Sequence, residues 1–133
     1  DLSLKNDKAS KDDIINLQNK KTGALMGFCI EAAAILADKK DLEEKFKSIG
    51  MKLGLLFQIK DDFLDKYGSA DILGKPAQQD VAKGKNTLIE YLGEGETKIL
   101  MKNLQIEIEK DLKPLPKTNS LIDCMSFIIN RKN

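Results

Sequence analysis

Between Leu42 and Tyr67 the residue pattern commits to one long helix, and that commitment constrains the rest of the fold. At about 100° per residue, Leu42, Phe46, Ile49, Leu53, Leu56, Phe57 and Leu64 gather into one apolar band. Such a band is the core-facing side of an amphipathic helix. Beside it, Gly50, Gly54, Gln58, Asp61 and Asp65 form a second stripe, roughly 80° wide at that pitch, with Asp62 just past its edge. The stripe is small at one end and acidic at the other. A glycine inside a helix costs about 1 kcal/mol relative to alanine. Two of them in line with the acids point to room made for a neighbouring helix or a ligand. The three carboxylates repel one another unless a cation joins them. A hard divalent cation suits oxygen donors of this kind, with a diphosphate behind it. An acidic, solvated helix face is the bland alternative, and Gln58 directly upstream weighs against it.

Helical periodicity runs through nearly the whole chain, and no sustained alternation marks a strand. A short helix is expected from about Lys11 to Asn19, with Ser10 as its cap and Asp12 and Asp13 in its first turn. The next runs from about Lys20 to Ala37. The central helix takes Asp41 as its N-cap and stops at Gly68. Residues 68–86 read as a long loop with a turn of helix around Ala70 to Leu73; loops of that length usually carry function or disorder. Thr87 to Leu92 reads as a short helix. Glu96 to Leu112 is amphipathic through Ile99, Leu100, Leu104, Ile106 and Ile108, and Pro114 and Pro116 stop it. Asn119 or Ser120 caps a last helix to about Asn130.

Composition excludes several classes of function. A chain of 133 residues fits one domain. Its net charge of +1, with scattered lysines, argues against a nucleic-acid-binding stripe. The apolar stretch Thr22 to Ala37 is interrupted by Glu31 and is too short to span a bilayer. Cys29 and Cys124 lack metal-ligand spacing and read as free, buried thiols in a reducing cytosol, which makes the expected location cytoplasmic. With no histidine, the commonest general base is absent.

Four further blocks stand in order around the run Phe57-Gln58-Ile59-Lys60-Asp61-Asp62-Phe63-Leu64-Asp65. They are Lys21-Thr22-Gly23-Ala24-Leu25, Ser48-Ile49-Gly50, Leu73-Gly74-Lys75 with Asp80, and Gly84-Lys85-Asn86-Thr87. The chain ends in Phe127-Ile128-Ile129-Asn130-Arg131-Lys132-Asn133. In this combination the chain resembles the trans-prenyl diphosphate synthases, above all the short-chain bacterial farnesyl diphosphate synthase (geranyltranstransferase) branch. The resemblance implies an all-α fold, the isoprenoid-synthase-type helical bundle. Residues 1–133 would be the C-terminal half of a polyprenyl synthetase domain, carrying its second aspartate-rich motif.

The same resemblance assigns roles. Asp61 would ligate Mg2+ directly, and Asp62 and Asp65 would act mostly through bound water. Lys21, Thr22 and Gln58 would contact the allylic diphosphate, and Lys75 and Lys85 would close over it. No residue is assigned as a catalytic acid or base, because the family's final proton leaves to the released diphosphate. Gln78 stands where the family loop has glycine, which puts that closure in doubt. The helix bearing Glu31-Ala32-Ala33-Ala34 would line an elongation cavity, and plain helix packing explains those alanines equally well. Arg131 and Lys132 could reach a homoallylic diphosphate, although a terminal basic pair is ordinarily solvated.

The activity implied is prenyl transfer. Isopentenyl diphosphate would be added to dimethylallyl or geranyl diphosphate, by a homodimer when complete. The family's first aspartate-rich motif is missing; Asp12-Asp13 is followed by Ile14-Ile15-Asn16 and lacks the closing acid. The polypeptide by itself is therefore expected to be inactive. The alternative is a non-catalytic helical half-molecule or subunit that binds a partner without turnover. A terpene cyclase is disfavoured, since cyclases usually carry an NSE-type second metal motif and the DDxxD here is intact.

Overall fold

The computed structural model describes residues 10–68 and 87–132, and every regular element among them is helical. Ser10 starts α1 (Lys11–Gln18): its hydroxyl accepts from the Asp13 amide at 3.2 Å, and the Asp13 carboxylate accepts back from the Ser10 amide at 3.0 Å. This reciprocal box satisfies donors that a helix start otherwise leaves open, and it holds the Asp13 carboxyl below the ordinary value.

The break expected between Asn19 and Lys20 does not occur. A π-helical turn over Asn19–Gly23 carries α1 directly into α2 (Ala24–Leu36). The backbone stays right-handed throughout, so Lys21 and Thr22 lie on one widened turn of a continuous rod. Helix α2 ends with Asp38 at φ 53°, where the Lys39 amide reaches Ala34 O at 2.9 Å and the Asp38 amide reaches Ile35 O at 3.0 Å. That is a Schellman stop.

A single 3-10 turn, Lys40–Leu42, precedes α3 (Glu43–Tyr67). This corrects the expected cap: Asp41 falls inside the 3-10 turn, and Leu42 takes the cap position without a side-chain bond. Helix α4 (Leu88–Leu112) begins at Thr87, whose hydroxyl accepts from the Glu90 amide at 3.3 Å. The two helices expected here are both present and abut at Gly93, where φ is 80° and ψ 173° and the helical backbone is interrupted. Only glycine adopts that conformation cheaply. The buried Thr97 hydroxyl donates to Gly93 O at 2.7 Å at this junction. Helix α5 (Asn119–Asn130) is capped in position by Thr118 rather than by Asn119 or Ser120, which lie inside it, and Lys117 at φ 57° turns the chain into it.

The core forms around α3. Ile49, Leu53, Leu56 and Ile59 are fully buried, as are Leu88 and Ile108 of α4, and Met125 and Ile128 of α5 are nearly so. Ile99 and Ile106 of α4 are about half exposed, so Thr97, Leu104, Ile108 and Leu112 make its buried face. Lys52 on α3 reaches Asp111 at 2.7 Å and Glu107 at 3.3 Å on α4. Burial works against the Lys52 charge, but the two carboxylates outweigh it and raise its pKa. Its stabilising contribution is therefore complete below the ordinary lysine value of 10.5 and fades as pH rises beyond it.

Both cysteines are free but exposed, not buried as their apolar surroundings suggested. Only one stripe of α2 faces α3, and Cys29 lies off it. In α5 the buried residues are Met125 and Ile128, which leaves Cys124 outside.

The glycines of α3 make room for a helix. A Cβ on Gly50 would lie 2.7 Å from Gly27 Cα, and one on Gly54 would lie 2.7 Å from Gly23 Cα. The two rods thus run antiparallel with backbones in contact. Gly54→Ala is expected to destabilise the fold by about 1–3 kcal/mol, because overpacking against backbone outweighs alanine's better helix propensity. Gly95→Ala, with nothing within 4 Å of its Cβ position, should instead stabilise by about 0.5–1 kcal/mol. Urea denaturation of both variants checks the opposite signs.

Candidate functional site

The antiparallel contact that pairs Gly27 with Gly50 and Gly23 with Gly54 continues toward the acidic end of α3. Along it, Thr22 meets Gln58 and Gln18 meets Asp62. The Thr22 hydroxyl donates to Gln58 Oε1 at 3.1 Å. Gln58 Nε2 donates to Asp62 Oδ1 at 3.4 Å, and Gln18 Nε2 donates to Asp62 Oδ2 at 2.9 Å. One chain of hydrogen bonds therefore runs from the Lys21-Thr22 turn into the acid motif. Asp62 and Gln18 are buried, Thr22 and Gln58 are half-buried, and Lys21 is exposed.

The three acids of the motif do different things. Asp62 turns inward, and both of its oxygens accept from neutral amides. Asp61 is 48% exposed at its side chain, and its Oδ1 accepts from Arg131 Nη2 at 3.0 Å. Asp65, one turn further, is half-buried. The same Arg131 nitrogen reaches Phe57 O at 3.3 Å, and the guanidinium lies over the Phe57 ring at 4.2 Å. Arg131 is only 11% exposed, so the solvated reading of the terminal basic pair fails for it and holds for Lys132, which is exposed. Lys60, beside Asp61 in sequence, has its pKa lowered by burial first and by the Arg131 charge second.

Asp61 and Asp65 are hard oxygen donors with solvent access. They fit magnesium, which characteristically takes one or two carboxylates and completes its shell with water and phosphate. Asp62, with both oxygens already hydrogen-bonded, fits the outer layer. Among the described residues, no three His, Cys, Asp or Glu side chains converge into a complete metal cage. The expected partners Lys75 and Lys85, with Gln78, the loop 68–86 and its turn of helix, fall on 69–86, outside the described residues apart from Gly68.

The helix with Glu31-Ala32-Ala33-Ala34 packs along α3, where Ala34 is buried and Glu31 meets Lys47 at 3.5 Å. Sequence reasoning missed Gln18. Its signal was a polar side chain one turn after Ile14 on the buried face of α1. It left Arg131 between two readings; no local pattern announces a partner 70 residues away.

A family model for polyprenyl synthetase matches residues 1–118. The chain belongs to the polyprenyl synthetase family. Within that family it is 37% identical over 90 residues to a short chain isoprenyl diphosphate synthase of Methanocaldococcus jannaschii, covering 67% of this chain and 28% of that protein. It is 35% identical over 113 residues to a farnesyl diphosphate synthase of Micrococcus luteus, covering 84% and 39%. The chain thus spans well under half the length of these relatives. A Helicobacter pylori geranyltransferase, crystallised with magnesium and isoprenyl diphosphate, superposes with a TM-score of 0.77 at 24% identity over 98% of this chain and 43% of that one. The fold is the isoprenoid-synthase helical bundle expected from the motifs. The model match stops before α5, so Arg131 lies outside it.

The Arg131 pair is testable as a tie between α5 and α3. Arg131→Gln loses a charge-assisted bond and a ring contact, and about 1 kcal/mol of stability is expected to go with them, discounted for the exposure of Asp61. An unchanged urea midpoint would mean that the guanidinium contributes no net stability.

Proposed function

We propose that this chain is the diphosphate- and metal-holding half of a short-chain prenyl diphosphate synthase. The observation that carries the proposal is the bonded path Thr22–Gln58–Asp62, which couples the Lys21-Thr22 turn to the acid motif. The allylic C–O bond would break with its electron pair going to diphosphate. The double bond of isopentenyl diphosphate would attack the resulting cation, and a proton would leave to the released diphosphate. Magnesium, when bound, would draw charge from the leaving group. Asp61 and Asp65 would hold it.

This chain's other residues bind and orient. Lys21 offers an exposed ammonium as a point charge. The Thr22 hydroxyl is committed to Gln58 at rest, so it must turn away from that amide to donate to a phosphate oxygen. Gln58 gives one amide hydrogen to Asp62 and keeps a second for the ligand. Lys75 and Lys85 are proposed on motif alone as the closing cations. A short prenyl chain such as farnesyl, and a cytoplasmic homodimer for the complete enzyme, follow from the branch of the family that the motifs resemble.

Asp61 is tested best by Asp61→Asn, because the amide oxygen still accepts from Arg131 while the charge is removed. In the full-length enzyme, kcat is expected to fall by about 100-fold or more, with stability changed by less than about 1 kcal/mol. Near wild-type turnover at saturating magnesium would sink the assignment.

Residues 1–133 alone should form no prenyl product, since the family holds its substrate between two acid motifs and one is present. Product formation from the mass-verified chain would refute this. Retained binding of a partner protein, with no binding of diphosphate, would favour the non-catalytic subunit.

A further inference from the structure

Gln18 lies outside the motifs that carry the family resemblance, yet it is the buried anchor of the acid cluster. It is 7% exposed on α1, and its Nε2 donates to Asp62 Oδ2 at 2.9 Å across 44 residues of sequence. Its amide orientation is forced: turned over, its Oε1 would face a carboxylate oxygen. In the observed orientation, that Oε1 is buried and has no hydrogen-bond partner among the described residues. A buried acceptor left in that state is costly. The amide is thus held for the bond that its nitrogen makes, even though its oxygen is left unsatisfied.

We propose that Gln18 is a positioning residue for the acid motif. With Gln58 it clamps the Asp62 carboxylate from two sides, so that Asp61 and Asp65 present to a cation in a fixed geometry. This rests on the reading above that those two acids hold a divalent metal. Carboxylates around a metal are held by hydrogen bonds from an outer layer, and loss of such a bond typically weakens metal binding by about 10–100-fold. Gln18 immediately precedes the π turn and Thr22 lies on it, and such turns are frequent at functional sites.

The test uses Mn2+ with inorganic diphosphate, and free Mn2+ is read by electron paramagnetic resonance on the full chain. Gln18→Met keeps length and apolar packing but removes the donor; it should weaken Mn2+ about 10-fold or more. Gln18→Asn, with an amide too short to reach, should do the same and serves if the methionine variant does not fold. Gln105→Met, at a glutamine of α4 whose amide bonds Lys102 and Glu109 and not the acid motif, should bind as wild type. In an Asp62→Ala background, which removes both acceptor oxygens, Gln18→Met should weaken Mn2+ no further. Wild-type affinity in both Gln18 variants would overturn the positioning role and leave the metal reading intact. A full additional loss in the Asp62→Ala background would also overturn it, since the effect would not pass through Asp62. Wild-type protein whose Mn2+ binding is absent, or unaffected by Asp61→Asn, would overturn the metal reading and this inference together.

Discussion

Everything at the site depends on two helices touching through their backbones. Gly23 and Gly27 on one rod meet Gly54 and Gly50 on the other, with virtual Cβ contacts as short as 2.6 Å. Side chains of ordinary size would hold these helices about 8–10 Å apart. At that separation the short reach of a threonine hydroxyl to a glutamine amide would be lost. Helix propensity given up at Gly50 and Gly54 is therefore exchanged for proximity, and that proximity is spent on polar groups rather than on apolar packing.

The polar groups form a graded layer. Asp62 is sealed by two amides, Asp61 is half open and held by Arg131, and Lys21 is fully outside. Adjacent residues on one helix thus occupy different environments because each faces a different neighbour: α1 for Asp62, the end of α5 for Asp61. The neighbouring charges of Asp61 and Asp62 are tolerated because each is met by a different partner.

Much of this was legible in the sequence. The period of α3, its apolar band and its glycine stripe follow from helical geometry, and the Ser10 box follows from local capping chemistry. The glycines offered two readings, ligand or helix, and only the neighbour's own glycines decide between them. The Asp41 cap was misread because local propensity says nothing about a preceding 3-10 turn. Cys29 was misread because α2 is apolar nearly all round apart from Glu31, so hydrophobicity could not tell which face packs. Gln18 and Arg131 were hard to see for a shared reason. Their meaning comes from contacts 44 and 70 residues away, which no local pattern encodes.

The paired glycines also act as a mechanical detent. Each seats against its partner at one point along the rods, and the next equivalent seat lies about one helical turn, roughly 5.4 Å, away. Small lengthwise slips would drive side chains into backbone. The acid motif and the Lys21-Thr22 turn therefore cannot be retuned by gradual sliding. They move as one rigid unit, and any change in their spacing has to come from rotation or bending elsewhere.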